Sequence, residues 1–182
     1  MTASGSPDIK LALPPLFSSE EIAARVQALA AQIDRDYLGR EILMIAVLKG
    51  SFLFVADLIR AIKTPTVIDF VRLASYGSAT QSSGIIEVRK DLEMSIRGKD
   101  VLVVEDIVDS GLTLESLRTL LLNRQPASLR ICTLISKQAK RVTNVPVDYI
   151  GFSMDDGFIV GYGLDLDERY RDLPDIRVIE GV

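Results

Sequence analysis

The stretch VLVVEDIVDSGLTL, Val101 to Leu114, sets two adjacent acids, Glu105 and Asp106, at the end of an apolar run. A turn, DSGLT from Asp109 to Thr113, follows after Ile107 and Val108. Ser110 and Thr113 carry hydroxyls, and Gly111 can take positive φ. Backbone N–H groups in such a turn, aligned with the positive end of a helix that begins there, form a cradle for an anion. No lysine follows the glycine, which separates this turn from a nucleotide P-loop. Two carboxylates next to a phosphate would repel it unless something neutral or positive lies between. Sugar hydroxyls and Mg²⁺ meet that requirement, so the residue types suggest a sugar phosphate with a hard divalent cation. The plainer reading of the same stretch is a strand, a capped helix and two solvated acids.

The surrounding chain is patterned to hold that turn at the edge of a sheet. Ser18 and Glu21 make a capping box, and Ile22, Val26, Leu29 and Ile33 recur at helical spacing until Gly39. Ile42 to Val47 is apolar throughout, as a strand covered on both faces must be, and Phe52 to Ile62 reads as a helix. Thr66 to Leu73 and Ile85 to Val88 read as strands on either side of a polar loop, Tyr76 to Gly84. Val101 to Val104 then leads into a helix over Thr113 to Arg124, striped with Leu114, Leu117 and Leu121. Leu129 to Ile135, Val147 to Phe152 and Ile159 to Tyr162 supply further strands. Strands alternating with helices predict an α/β fold with an open, mainly parallel sheet, whose ligands gather at the carboxyl ends of the strands.

Composition narrows the chemistry. The 182 residues, 48% of them hydrophobic, suffice for one core, and a single domain over residues 9–182 is expected after a mobile tail, Met1 to Asp8. There is no histidine, which removes the commonest general base and a usual zinc ligand. Any proton transfer must use Asp, Glu, Lys, Arg, Tyr or backbone. Cys132 has no second thiol to pair with, and it reads as a packed residue in a reducing, cytoplasmic setting. No segment has the length and apolarity of a membrane span, and a net charge of −4 disfavours a phosphate-tracking nucleic-acid surface.

Val101 to Leu114 resembles the phosphoribosyl pyrophosphate signature of type I phosphoribosyltransferases. LKGS at Leu48 to Ser51, SYG at Ser75 to Gly77, Lys137 after an apolar strand, and FIVGYGLDLDERYRDLP from Phe158 to Pro174 resemble the hypoxanthine-guanine branch. The resemblance runs over nearly the whole chain from Asp8 onward. It implies the type I phosphoribosyltransferase fold, with a small hood built from the chain ends. It also implies Mg²⁺, phosphoribosyl pyrophosphate and a 6-oxopurine as ligands, and a homodimer or homotetramer.

Residue by residue, the resemblance implies that Glu105 and Asp106 hold ribose hydroxyls and metal, and that Asp109, Ser110, Gly111, Leu112 and Thr113 bind the 5′-phosphate, with Ile107 and Val108 completing the segment. Asp109 is implied as the general base near purine N7. Lys49 and Gly50 would present donors to pyrophosphate, and Ser75 and Tyr76 would close over the site. Lys137 would donate to purine O6, Phe158 would stack on the base, and Ile159 would offer its backbone to the base edge. Asp165 would complete a second metal site, and Arg171 would meet pyrophosphate. Two alternatives stay open on sequence alone: a sibling that prefers xanthine, and a nucleotide-sensing, RNA-binding regulator on the same fold.

Overall fold

The computed structural model describes residues 10–75 and 86–180. The expected tail and the Tyr76 to Gly84 loop, Tyr76 included, lie outside the described residues. Helix α1, Ser19–Asp36, starts as its sequence predicts: Ser18 Oγ accepts from the Glu21 backbone N–H at 3.2 Å, and Glu21 Oε2 accepts from that of Ser18 at 2.8 Å. There follow β1 (Ile42–Leu48), α2 (Phe52–Ala61), β2 (Thr66–Ser75), β3 (Ile86–Lys90), β4 (Asp100–Val108), α3 (Leu112–Leu122), β5 (Ser128–Lys137), β6 (Tyr149–Met154), β7 (Ile159–Val160) and β8 (Arg177–Val178).

Six strands form one sheet in the order β3-β2-β1-β4-β5-β6. All neighbours run parallel except β3, which returns antiparallel along β2. Alternation along β1 divides the core in two. Ile42, Met44 and Ala46 pack with α1 and α2, whereas Leu43, Ile45 and Val47 pack with Leu114, Leu117 and Leu121 of α3. A strand buried on both faces has no polar side, which is why β1 reads as an unbroken apolar run.

Two boundaries differ from the sequence reading in ways that bear on function. The strand expected to end at Val104 continues to Val108, because β5 pairs with it as far as Val108 opposite Ser136. Glu105 and Asp106 therefore sit within the last turn-ward residues of β4 itself. The segment Ile159 to Tyr162 does not join the main sheet. Its first two residues, β7, pair antiparallel with β8, and Leu11 and Phe17 bridge to Ile179 and Ile176. Gly161, at φ +100°, turns the chain away at that point, and a Cβ there would lie 2.0 Å from the Asp175 carbonyl oxygen. The two chain ends thus build the small hood. Among the described residues no helix is long and apolar enough to cross a membrane.

Leu117 is fully buried on α3 and Leu122 is 41% exposed. Leu117→Ala is expected to cost about 2–5 kcal/mol and Leu122→Ala under about 1 kcal/mol in chemical denaturation.

Candidate active site

Two cavities open at the carboxyl edge of the sheet, and they meet on β4. One, of about 220 Å³, runs along Glu105, Asp106 and the Asp109–Thr113 turn to the start of α3. The other, of about 180 Å³, is lined by Asp106, Ile107, Lys137, Phe158, Ile159, Leu164 and Asp165. Asp106 and Ile107 belong to both. A larger cavity of about 660 Å³ opens beside Lys63–Pro65, at the amino ends of β1 and β2. Its one buried-side carboxylate, Asp34, is taken up by the backbone N–H groups of Lys63 and Thr64 and by the Thr64 hydroxyl. That leaves little chemistry at the opposite edge.

The turn is held from outside. Gly111 adopts φ +82° as the residue preceding α3, and the Ser110 carbonyl accepts from the N–H groups of Val142 at 2.9 Å and Thr143 at 3.2 Å. A Cβ at Gly111 would crowd the Thr143 carbonyl oxygen at 3.0 Å on top of its backbone strain. Val108 is buried beneath the turn, and Leu112 begins the helix whose amino end faces the cavity. Asp109 points one buried oxygen, Oδ1, with no hydrogen-bond partner among the described residues, while its Oδ2 lies 4.0 Å from Lys137 Nζ. Lys137 itself is buried at the end of β5, an uncommon place for an ammonium group without close ion pairing.

Three segments converge tightly around Asp106. The peptide between Leu48 and Lys49 is cis, and Gly50 follows it so closely against Asp106 that a Cβ would lie 1.7 Å from the Asp106 Oδ2. Gly163, at φ +96°, approaches from the hood side, where a Cβ would lie 2.2 Å from the Gly50 carbonyl oxygen. Only glycine allows both approaches. Phe158 is 38% exposed at the mouth of the smaller cavity, whereas Ile159 is buried and paired with Val178. Ser75 is the last residue of β2.

Around the rim runs a chain of charges. Arg171 Nη2 lies 2.9 Å from Asp165 Oδ1 and 3.0 Å from Glu168 Oε2, and its Nη1 donates to the Gly163 carbonyl at 2.7 Å. Lys49 Nζ reaches Glu168 Oε1 at 2.7 Å. Asp165 Oδ2 accepts from the Glu168 backbone N–H at 2.9 Å, so both of its oxygens have protein partners. Glu168 and Arg141 are participants that sequence reasoning passed over. Arg141 donates to the Ser136 hydroxyl at 2.8 Å and the Lys137 carbonyl at 3.2 Å, tying the Lys137 strand to the turn. The alternating charges of DLDERYRD carried a signal for Glu168; nothing local marked Arg141.

The acid pair is electrostatically unsettled. Burial, then the neighbouring Asp106 charge, pushes the Glu105 carboxyl well above the usual carboxylate range, and burial raises that of Asp106 as well. Neither acid has an ion pair among the described residues. Nor do these residues contain a closed group of three or more His, Cys, Asp or Glu that could cage a metal. Two adjacent hard oxygen donors beside open space suit a divalent cation whose remaining ligands are phosphate oxygens and water. Cys132, fully buried, has its thiol pushed up by that burial and takes no part.

Residues 16–167 match the phosphoribosyl transferase domain family. The chain is similar to the hypoxanthine-guanine phosphoribosyltransferase of Mycobacterium tuberculosis (strain CDC 1551 / Oshkosh), 50% identical over 91% of this chain and 85% of that one. It is 48% identical to the Escherichia coli (strain K12) hypoxanthine phosphoribosyltransferase, over 85% of this chain and 88% of that one. A crystal structure of a Bacillus anthracis hypoxanthine-guanine phosphoribosyltransferase superposes with a TM-score of 0.88 at 47% identity, covering 94% of this chain and 99% of that one.

Because the Glu105 carboxyl is raised in the folded chain, folding takes up protons, and stability falls as pH climbs above the unfolded value near 4.3. Glu105→Gln is therefore expected to raise the metal-free melting temperature at pH 7 by about 2–4 °C, roughly 1 kcal/mol. The gain should vanish near pH 4, as differential scanning calorimetry across pH would reveal.

Proposed function

Since this chain belongs to the phosphoribosyl transferase domain family, we propose that it transfers the 5-phosphoribosyl group from phosphoribosyl pyrophosphate to hypoxanthine or guanine, giving IMP or GMP and pyrophosphate. It is a pentosyltransferase of the purine-salvage type, and its relatives are named hypoxanthine-guanine and hypoxanthine phosphoribosyltransferases. One observation carries the substrate assignment: the cavity bearing Lys137, Phe158 and Ile159 meets the cavity bearing the Asp109–Thr113 turn at Asp106 and Ile107. A planar base in the first and a phosphate in the second leave the ribose over the acid pair.

In this reading the turn N–H groups and the hydroxyls of Ser110 and Thr113 bind the 5′-phosphate, helped by the amino end of α3. Lys137 donates to purine O6, which favours 6-oxopurines because adenine presents a donor at that position. Phe158 covers the base, and the Ile159 backbone borders its edge. N9 attacks the anomeric carbon while the bond from that carbon to the pyrophosphate oxygen breaks, and the leaving group departs with the electron pair. The proton shed by the purine goes to Asp109, whose buried Oδ1 is otherwise without a partner. Glu105 and Asp106 hold the ribose hydroxyls, and their negative charge favours the cationic character that develops on the ribose ring. Lys49, the Gly50 N–H and Arg171 receive pyrophosphate. Glu105 and Asp106 would hold one Mg²⁺ and Asp165 would complete a second site, and bound metal would supply neutralisation of the leaving group's charge. Since Arg171 and the Glu168 N–H already occupy Asp165, a metal at that second site would require the ion pair to loosen or a water to intervene. The protein works in the cytoplasm as a homodimer or homotetramer, and neither nucleic acid nor membrane is a partner.

Incubation with Mg²⁺, phosphoribosyl pyrophosphate and each purine in turn tests the proposal: IMP and GMP are expected, with little AMP. Abundant XMP would favour the xanthine-preferring sibling. No product from any base would refute transferase activity. Asp109→Asn is expected to lower kcat about 10²- to 10⁴-fold with little change in KM. Lys137→Ala should raise the purine KM about 10- to 100-fold, matching a lost charged hydrogen bond of about 1.5–3 kcal/mol.

A further inference from the structure

The loop between Asp165 and Arg171 is built to present one side chain. Leu166 and Arg169 exchange both backbone hydrogen bonds, at 3.3 and 3.0 Å, which leaves Asp167 and Glu168 as the two central residues of a tight hairpin turn. Both take positive φ, +50° and +64°. Turns of that shape favour Asn-Gly or Asp-Gly, and a glutamate in the second place costs backbone strain. Its side chain, 61% exposed, bridges two cations from distant parts of the chain: Lys49 Nζ at 2.7 Å and Arg171 Nη2 at 3.0 Å, one on each carboxylate oxygen. Arg171 also retains a buried Nε with no partner among the described residues. Two anionic oxygens, one on a lysine and one on an arginine, are also what a phosphate group can offer such a pair.

We infer that Glu168 is an internal stand-in for pyrophosphate, a positioning residue whose carboxylate holds Lys49 and Arg171 together before the diphosphate arrives and competes with it for them. The inference rests on the reading of Lys49 and Arg171 as the pyrophosphate ligands. Its consequence is a balance: Glu168 must swing out for the diphosphate end of the substrate to dock, and its return helps expel product. Exposure of the side chain leaves room for that exchange, and exposed ion pairs are weak enough to be displaced.

Titration calorimetry of inorganic pyrophosphate in Mg²⁺ buffer separates the possibilities. Glu168→Gln keeps the side-chain size and removes the competing charge, so it should bind pyrophosphate about three- to tenfold more tightly, the equivalent of losing one or two exposed ion pairs. The KM for phosphoribosyl pyrophosphate should fall by a similar factor without a rise in kcat. IMP, which carries no diphosphate, should bind as before. Asp167→Asn removes an adjacent exposed charge that makes no such bridge and should leave pyrophosphate affinity within about twofold. The inference is overturned if Glu168→Gln binds pyrophosphate no more tightly, or if Asp167→Asn has the same effect, which would reduce the gain to overall charge. Lys49→Ala tests the underlying reading separately. Weaker pyrophosphate binding in that variant upholds it, and unchanged binding removes Lys49 as a ligand and the stand-in with it.

Discussion

Two consecutive carboxylates at the end of a strand buried on both faces repel each other, lose hydration and, in Glu105 and Asp106, gain no ion pair among the described residues. A fold carries such a destabilising feature only where something from outside relieves it, and adjacent hard oxygen donors are relieved best by a divalent cation and by hydroxyl groups. The rest of the site is arranged around that unmet need. The Asp109–Thr113 turn begins three residues after Asp106, the cavity bearing Lys137 begins at the same Asp106, and the loop carrying Lys49 is pressed against its carboxylate.

Close approach of backbone to that carboxylate depends on glycines. Gly50 leaves no space for a Cβ beside Asp106, and Gly163 leaves none beside Gly50, so β1, β4 and the hood meet within van der Waals contact at one point. The parallel sheet supplies the rigid base: β1 and β4 are neighbours, and β5, bearing Lys137, is next to β4. Asp109 and Lys137 therefore face each other across adjacent strands although 28 positions of sequence separate them. The local hydrogen bonds of Ser110 and Arg141 then fix the turn relative to Lys137.

Much of this was legible in the sequence because the signals were local. The capping box at Ser18 and Glu21, the apolar β1, the leucine stripe of α3 and the acid pair before DSGLT each have a short-range cause. What was not legible depended on pairing across the fold. The reach of β4 to Val108 follows from its register with β5, and the desertion of the main sheet by Ile159 follows from Gly161 and the pairing with Arg177–Val178. Glu168 could be seen as one more charge in a charged loop; its bridge between Lys49 and Arg171 exists only once the hood folds back over β1. Asp165 and Arg171, expected to serve metal and pyrophosphate apart, are joined to each other in the structure. The roles of both thus depend on which ligands are present.

Under the proposed function the Glu105 and Asp106 pair is kept, at a cost to stability, to hold the sugar and metal of phosphoribosyl pyrophosphate. The most direct measurement is calorimetric titration of phosphoribosyl pyrophosphate in Mg²⁺ buffer into the wild-type protein and into the Glu105→Gln/Asp106→Asn double variant. The expected result is binding at least about 100-fold weaker in the double variant, close to 2.7 kcal/mol, although that variant melts no lower than the wild type. Equal affinity in the two proteins would contradict the account, because the two acids would then be serving something other than the substrate.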